Sequence, residues 1–418
     1  MAFKKKVDVL VLGGGIIGAS VARELQKDGR KVVLLDRGQP GLGCSYGNAG
    51  WITPCFAMPL PQPGMLWKSL GWLLNPESPL YIKPEPSWLL ARWMFSFLQA
   101  MNQRRMLESV AVLAELSKYS LQAYGELAQR NPGAFGFEQK GLLMVSGTNS
   151  GLRDAELEMK LMADQGIPGR KLTSDDIASM EPALKPGLKG GVYFPSEAHA
   201  EPLATVQTLI NEFIALGGEL LPQTEVFDFN FSGQRISEVI TTRGSFEADL
   251  VVLALGTWSH ALAKRLQVSV PILGGKGYSM IVDDFSVKPK HPIMILERKI
   301  AVTPRTDSVR LAGTLELVDQ DESITARRVR AILRGANEYM HVSKEPTIRE
   351  VWRGLRPCTP DGVPMIGFSN KWTNLVYNTG HQRLGLQSAP GSGRLAADLI
   401  AGRPPLTNPR PFRPERFE

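Results

Sequence analysis

Cysteine and histidine are both scarce in this chain of 418 residues. The three cysteines, Cys44, Cys55 and Cys358, form no CxxC pair. Such a set provides no disulfide framework and is typical of proteins kept in a reducing compartment. The five histidines are spread along the chain without an HxH or HExxH pattern, so we expect neither a disulfide nor a metal site.

Long apolar runs are also missing. The basic residues 4–6 lead directly into a strand pattern and a glycine turn, without the apolar core and cleavage site of a signal peptide. Residues 56–106 are rich in Trp, Leu and Met, but charges and prolines interrupt every run of about 18 residues, the length that a membrane-spanning helix needs. We therefore expect a cytoplasmic protein without a spanning helix.

The excess of positive charge is small, because 48 Lys and Arg stand against 41 Asp and Glu, a net charge of +7. A basic balance is compatible with nucleic acid, an anionic membrane face or an anionic small molecule as partner. The basic residues are scattered, and the aromatic and basic pattern of RNA-binding sheets does not occur. We predict no nucleic-acid partner.

The first 37 residues contain a strong local pattern. VDVLVLGGGIIGASVARELQKDGRKVVLLDR has the periodicity of a strand, a glycine turn, a helix and a second strand. Gly13, Gly15 and Gly18 form GxGxxG at the turn, and Asp36 ends the second strand. Such glycines let a pyrophosphate approach the helix N-terminus, and the carboxylate can bind ribose hydroxyls. The pattern predicts a dinucleotide site, the alternative being a glycine-rich turn of another α/β protein.

The chain after this unit favours FAD over NAD. No further alternation of strands and helices follows Asp36, and a helix with a strand returns only after about residue 207. The segment ADLVVLALGTWS then predicts a buried strand that ends at Gly256. A nucleotide domain built from distant segments suits an FAD protein, and the insertions are expected to form the substrate side.

Six motifs, in order along nearly the whole chain, resemble one protein family. They are VLGGGIIGAS with VVLLDR, CSYGNAG, PILGGKGYSM, RLAGTLEL, VWRGLRPCTPDGVPMIG and NTGHQRLGLQSAPGSGRLAADLI. They resemble the FAD-dependent amino-acid oxidoreductases of the D-amino-acid oxidase and glycine oxidase group, and within it the D-amino-acid dehydrogenases. The resemblance implies an α/β fold, with an FAD-binding Rossmann-like domain of glutathione-reductase type and an α+β substrate domain on a mostly antiparallel sheet.

The resemblance also implies an activity. It implies non-covalent FAD and oxidation of a D-amino acid, or of a cyclic imino acid of the D-proline or hydroxyproline kind. Hydride would pass from Cα to flavin N5, and the electrons to a quinone or another carrier. Three alternatives stay open: an oxidase that uses oxygen, a 2-hydroxy-acid dehydrogenase, and a non-catalytic flavoprotein that binds membrane or nucleic acid.

Two domains of discontinuous sequence follow from this resemblance. Residues 1–56, 150–180, 203–266 and 347–418 are assigned to the FAD-binding domain. Residues 57–149, 181–202 and 267–346 are assigned to the substrate domain.

Three residues are predicted at the substrate. Arg356 precedes a proline and a PDG turn, and its planar guanidinium matches a carboxylate in two hydrogen bonds. By resemblance it binds the substrate α-carboxylate, the alternative being an ion pair with Asp361. Arg383 matches the arginine of a GHxRxG pattern, and it is expected to share that carboxylate, to bind a side-chain carboxylate or to face solvent. Ile300 stands where glycine oxidase has a substrate-binding tyrosine, so Tyr278 is expected to supply any phenol.

The other predicted site residues share contact with FAD. They are Gly13, Gly15, Ile16, Ile17, Gly18, Asp36, Arg37, Ser45, Asn48, Ala49, Gly50, Val226, Gly256, Trp258, Gly380, His381, Gly385 and Leu386. His381 is expected to form a structural hydrogen bond rather than to act as a general base. Gly391 and Gly393 are expected to open a helix whose N-terminus faces the flavin.

Residues 56–106 have two interpretations. In the first they cover the active site and pack within the substrate domain. In the second one face makes a peripheral contact with the inner face of the cell membrane, where the flavin would meet a membrane quinone.

Overall fold

A computed structural model describes residues 4–63, 80–82, 87–283, 285–343 and 345–417. Its strands are β1 Lys4–Leu12, β2 Val32–Leu35, β3 Trp51–Ile52, β4 Leu80–Ile82, β5 Leu142–Ser146, β6 Arg170–Leu172, β7 Gly190–Phe194, β8 Ala198–His199, β9 Glu219–Leu221, β10 Val226–Ser232, β11 Arg235–Thr241, β12 Gly244–Leu253, β13 Leu273–Val282, β14 Ile293–Ile295, β15 Ile300–Pro304, β16 Val309–Val318, β17 Ile348–Cys358, β18 Met365–Phe368 and β19 Leu375–Thr379.

The α-helices of the described residues lie between these strands and after them. They are α1 Ile16–Lys27, α2 Trp88–Ala100, α3 Gln103–Arg130, α4 Asn149–Ala163, α5 Ser174–Met180, α6 Pro202–Ala215, α7 Ser259–Leu266, α8 Ala326–Tyr339 and α9 Gly385–Ala401.

An eight-stranded sheet contains the predicted strand, turn, helix and strand. Its order is β10-β11-β12-β1-β2-β9, with β19 beside β12 and β18 beside β19. β1 pairs in parallel with β2 and with β12, and β12 pairs in parallel with β19. The C-terminal half of β1 is fully buried, as expected for a parallel strand that is covered on both faces. The predicted α/β unit at the start of the chain is confirmed.

A second, nine-stranded sheet is formed by other parts of the chain. Its order is β17-β13-β16-β15-β14-β5-β7-β6, with β4 beside β16. All its pairs are antiparallel except β14 with β5 and β16 with β4. The predicted mostly antiparallel sheet is therefore confirmed.

Three elements lie with the other domain than the sequence-based boundaries assigned them. β6 lies within residues 150–180 and β17 lies within residues 347–418, yet both pair in the nine-stranded sheet. In addition α3, from residues 57–149, packs on α9 and shares the core of the first sheet. The local sequence does not specify which sheet a strand or helix packs on, because that depends on its neighbours in the tertiary structure.

The helix near the C-terminus begins six residues before the predicted position. α9 starts at Gly385, so Gly391 and Gly393 lie inside it rather than at its N-terminus. A β-carbon on Gly391 would lie 2.5 Å from the carbonyl oxygen of Leu116 in α3, and one on Gly393 would lie 2.9 Å from the backbone of Ser20 in α1. These two glycines therefore allow α9 to approach α3 and α1 closely.

Candidate functional site

The glycine turn lies between β1 and α1. Gly13 has a φ of +105° and donates its amide to Leu35 O at 2.8 Å. A β-carbon on Gly18 would lie 1.7 Å from Gly13 O, so only glycine lets the helix pack on the turn. Gly15 is the N-cap of α1 and makes no side-chain cap. The helix therefore begins at the turn without a cap from the side chain of its own N-cap residue.

An acidic and an aromatic side chain lie at the edges of this turn. Asp36 accepts from the amide of Gly14 through Oδ2 and from the amide of Gly38 through Oδ1, both at 2.8 Å. Burial raises the pKa of Asp36 and these two bonds lower it. The guanidinium of Arg37 lies 4.4 Å from the ring centre of Trp258. Asp36, the predicted ribose-binding carboxylate, is thus followed in the chain by an arginine that stacks on the ring of Trp258.

The chain next to Val226 in β10 and next to Gly256 after β12 also lies near the turn. A β-carbon on Gly13 would lie 2.7 Å from the carbonyl oxygen of Ala254, just after β12, and Gly256 follows with a φ of +58°. The amide of Thr224, two residues before Val226, donates to Asp36 O at 2.7 Å. Both segments therefore run beside the turn.

Residues 45–50 close over the start of α1. Ser45 Oγ accepts from the amide of Ile16 at 3.0 Å, and Asn48 Oδ1 accepts from the amide of Gly50 at 2.9 Å. Ile17 is half-buried and packs in the core of the eight-stranded sheet. The segment that contains Ala49 is thus joined directly to the dinucleotide turn.

His381 lies in a buried chain of hydrogen bonds at the start of α9. Its Nε2 lies 2.7 Å from Ser392 Oγ, and that hydroxyl donates its proton to Asn378 Oδ1. Nε2 must therefore be the protonated nitrogen. Burial lowers the pKa of His381 to about 3, so the ring is neutral at physiological pH. Next to it, Gly380 has a φ of +81° and Leu386 O accepts from the hydroxyl of Tyr124 at 2.8 Å.

Arg356 extends across one face of the nine-stranded sheet. Its Nη1 donates to Thr314 O at 3.0 Å and to Gly275 O at 3.4 Å. Burial lowers the pKa of this guanidinium. Asp361, the alternative partner, is paired with Arg416 at 2.7 Å. Within the described part of the chain no carboxylate forms an ion pair with Arg356, so the guanidinium is held by carbonyls and keeps its charge for another anion.

Arg383 lies beside Arg356. Its Nη2 donates to Met58 O at 2.9 Å, and its guanidinium lies 6.0 Å from the ring centre of Phe56. The Arg383 residue is exposed to solvent. The protein atoms around its guanidinium nevertheless desolvate the charge, which lowers the pKa of Arg383. Burial raises the pKa of the Cys358 thiol to about 12, although both guanidiniums act to lower it. The structure thus brings the two predicted arginines together.

Tyr278 does not lie beside Arg356 and Arg383. Successive side chains of a strand point to opposite faces, and Arg356 lies on the face of Gly277 and Ser279. Tyr278 therefore projects from the other face, where its hydroxyl donates to the buried carboxylate of Glu316 at 3.0 Å. The same carboxylate binds Lys276 at 3.2 Å and Arg328 at 2.6 Å, so the phenol belongs to a buried ion cluster.

Sequence reasoning missed a glycine beside Arg356 and a buried carboxyl beside Cys55. Gly277 leaves the space that the guanidinium of Arg356 occupies, and its only sequence signal is a glycine within a strand pattern. Glu197 is fully buried and accepts from the amide of Cys55 at 3.2 Å. Burial raises its pKa to about 8, and no motif marks it.

Fold and site together define a class of protein. The glycine turn at α1, the carboxylate after β2 and the second, antiparallel sheet are those of a two-sheet dinucleotide-binding enzyme. The chain belongs to the DAO family of FAD-dependent oxidoreductases, whose model matches residues 8–399. The resemblance inferred from the motifs is thereby confirmed, and FAD is the cofactor.

Individual relatives cover almost the whole chain. D-amino acid dehydrogenase of Granulibacter bethesdensis is 31% identical over 403 residues, 95% of this chain and 96% of the relative. D-amino acid dehydrogenase of Vibrio atlanticus is 32% identical over 402 residues, with the same coverage of 95% and 96%.

Solved structures show the same fold. Glycine oxidase from Geobacillus kaustophilus superposes with a TM-score of 0.79 at 24% identity, over 98% of each chain. L-proline dehydrogenase from P. horikoshii superposes with a TM-score of 0.78 at 19% identity, over 99% of this chain and 98% of that one.

The residues present fit FAD. Gly13 and Gly18 pack the turn closely against α1, the arrangement in which such folds bind a pyrophosphate at the helix N-terminus, and Asp36 lies where they bind ribose hydroxyls. The amides of Asn48 and Ala49 have no hydrogen-bond partner among the described residues. Backbone donors of this kind are suited to the electron-rich atoms of the cofactor.

Proposed function

We propose that this protein is an FAD-dependent dehydrogenase of D-amino acids or of cyclic imino acids resembling D-proline. The observation that carries the proposal is the pair of adjacent guanidiniums, Arg356 and Arg383, in a chain that fits FAD. The relatives named D-amino acid dehydrogenase, aligned over about 95% of the chain, support the substrate class.

The two arginines bind and orient the substrate in this proposal. Arg356 approaches the α-carboxylate with its free N–H groups, because only Nη1 is engaged by Thr314 and Gly275. Arg383 binds the same carboxylate from the side of Met58, and the anion offsets the repulsion between the two cations. A carboxylate held at two points directs the Cα–H bond, so positioning supplies most of the rate.

The chemistry that FAD would supply here is that of a two-electron acceptor for the hydride that leaves Cα. The chain needs no strong base for this step if the amine binds in its neutral form. His381 is a poor candidate for one, since burial lowers its pKa to about 3 and makes the neutral ring a very weak base. The roles of the arginines are thus binding and orientation.

We propose that FAD is held non-covalently. Burial raises the pKa of Cys44 to about 12 and that of Cys55 well above its usual value. Thiols that stay protonated are poor nucleophiles, which argues against a thioether to the flavin.

The test of the activity is anaerobic bleaching of the flavin absorbance by a panel of D- and L-amino acids, prolines and 2-hydroxy acids. We expect D-amino acids or cyclic imino acids to bleach it, with little hydrogen peroxide formed under air and rapid turnover with a soluble quinone. Bleaching by 2-hydroxy acids alone contradicts the substrate class, and rapid peroxide formation contradicts the acceptor.

We further propose that α2 makes a peripheral contact with an anionic membrane on the cytoplasmic side, where a quinone takes the electrons. One face of α2 is buried through Trp93 and Phe97. The other face exposes 84% of Trp88, 63% of Phe95 and 44% of Leu98, a stripe at helical spacing. In the described part of the chain no helix is long and apolar enough to cross a membrane.

Positive charge accompanies this stripe. Arg92 on α2 is exposed, and so are Arg104 and Arg105 at the start of α3. Exposed aromatic side chains next to arginines are typical of helices that lie in the headgroup region of anionic membranes.

Co-sedimentation with lipid vesicles tests the contact. We expect binding to vesicles that contain phosphatidylglycerol and much weaker binding to phosphatidylcholine alone. Trp88→Ser with Phe95→Ser should abolish binding, whereas Phe227→Ser removes a side chain that is 50% exposed elsewhere and should not. Equal binding by all variants contradicts the assignment to α2.

A further inference from the structure

Three consecutive backbone carbonyls accept hydrogen bonds from side chains of the nine-stranded sheet. They belong to residues 47–49, called the clamped segment below. Ser279 Oγ of β13 donates to the first carbonyl at 2.6 Å, and Arg310 Nη1 of β16 donates to the second at 3.1 Å. Thr303 Oγ1 of β15 donates to the third at 2.7 Å. Three neighbouring strands thus bind one short segment.

This pattern requires a turned backbone. Successive peptide groups of an extended strand alternate in direction, so they cannot all bind one sheet. Here Gly50 has a φ of +77°, and its amide is bonded to Asn48 Oδ1. The clamped segment is therefore a turn with all three carbonyls on the same side.

The amides must point the other way. A trans peptide places its carbonyl oxygen and the N–H of the next residue on opposite sides. Since the carbonyls of residues 47 and 48 face the sheet, the amides of Asn48 and Ala49 face away from it. Neither amide has a hydrogen-bond partner among residues that the structure describes.

The chain just before the clamped segment adjoins the dinucleotide turn. Ser45, two residues before the clamped segment, accepts from the amide of Ile16 at the start of α1. We propose that Ser279, Thr303 and Arg310 are positioning residues, which hold the amides of Asn48 and Ala49 against FAD. Through these bonds the substrate-side sheet sets the position of the cofactor.

Arg310 adds a charged connection between the two sheets. Its Nη2 lies 3.5 Å from Glu201 Oε2, and Glu201 is the N-cap of α6 and is also bound by Arg305 at 2.7 Å. Burial lowers the pKa of Arg310 and Glu201 raises it. A hydrogen bond from a charged donor is worth more than one from a hydroxyl, so Arg310 contributes the largest share.

The inference rests on the FAD dependence of the family and not on the proposed substrate. Its test is the dissociation constant of FAD, measured by quenching of flavin fluorescence when apoprotein is added, which needs no turnover. We expect Ser279→Ala and Thr303→Val each to raise it about fivefold. Arg310→Met should raise it more than tenfold, and Arg310→Lys should restore part of the loss because it keeps a charged donor.

Matched controls separate the clamp from general destabilisation. Thr208→Val and Ser109→Ala also remove a buried hydroxyl that donates to a backbone carbonyl, at 2.8 and 2.7 Å, but within helices. We expect them to leave the FAD dissociation constant within twofold of the wild-type value. The inference is overturned if Ser279→Ala and Thr303→Val also stay within twofold, or if the controls weaken FAD binding equally. Neither result would bear on the substrate.

Discussion

Arg356 and Gly277 occupy adjoining positions so close that a β-carbon on the glycine would lie 2.1 Å from Arg356 Nη1. The atoms in the way are the end of a flexible side chain, so alanine at this position would displace the guanidinium rather than the sheet. We predict that Gly277→Ala keeps FAD bound but raises the KM for substrate about tenfold or more, the cost of a misplaced charged pair.

The control for this prediction is Gly125→Ala in α3, where an added β-carbon meets no atom within 4 Å. Steady-state kinetics of both variants check it. An unchanged KM in Gly277→Ala would remove Arg356 from the carboxylate role.

The two arginines give a prediction about additivity. Arg356→Ala should weaken substrate binding by roughly 2–5 kcal/mol while FAD content stays near wild type. If Arg383 binds the same carboxylate, Arg383→Met adds less in the double variant than it costs alone. Arg353→Ala, on the same strand but paired with exposed Glu322, is the control and should have little effect.

Additive losses would assign Arg383 to another part of the substrate. A loss in Arg383→Met that occurs only with substrates bearing a side-chain carboxylate would support the same conclusion. The measurement is kcat/KM for the two single variants and the double variant with acidic and neutral substrates.

Tyr278 is expected to matter for stability and not for catalysis. Tyr278→Phe removes a buried hydrogen bond to the carboxylate of Glu316, which should cost roughly 1.5–3 kcal/mol of unfolding free energy. KM should stay near wild type because the phenol lies on the other face from Arg356. Tyr193→Phe loses only a bond to the carbonyl of Lys140 and should cost less. A large rise in KM for Tyr278→Phe would return the phenol to the substrate site.

Glu197 should make stability depend on pH. Burial raises its pKa from 4.5 to about 8 in the folded protein. Between these values the unfolded chain has released a proton that the folded protein retains, so unfolding free energy falls as pH rises. The contribution is complete below pH 4.5, and its loss is on the order of 4 kcal/mol by pH 8 and above.

Glu197→Gln cannot ionise and should lack this dependence. Urea unfolding of the wild type and the variant at pH 5, 6, 7 and 8 checks the prediction, with the wild type losing stability relative to the variant at each step. Parallel curves for the two proteins would contradict a buried, protonated carboxyl.

Much of the cofactor side could be predicted because its signals are local. Gly13, Gly18 and Asp36 lie within 24 residues, and their spacing alone defines the turn, the helix and the end of the next strand. The roles of Ser279, Thr303 and Arg310 could not be predicted, because their partners lie more than 200 residues away and are backbone atoms. A carbonyl carries no sequence signal.

The sequence by itself determined the family and the FAD-binding unit, and it predicted two arginines for the substrate, since these depend on residue type and short spacing. Only the tertiary structure decided which side chains meet. Tyr278 and Gly277 are neighbours in the chain, but the alternation of a strand sends them to opposite faces, and the packing of α8 and of residues 45–50 decides which face belongs to the ion cluster and which to Arg356. Long-range pairing likewise placed β6 in the nine-stranded sheet, and the structure begins α9 at Gly385 rather than at Gly391.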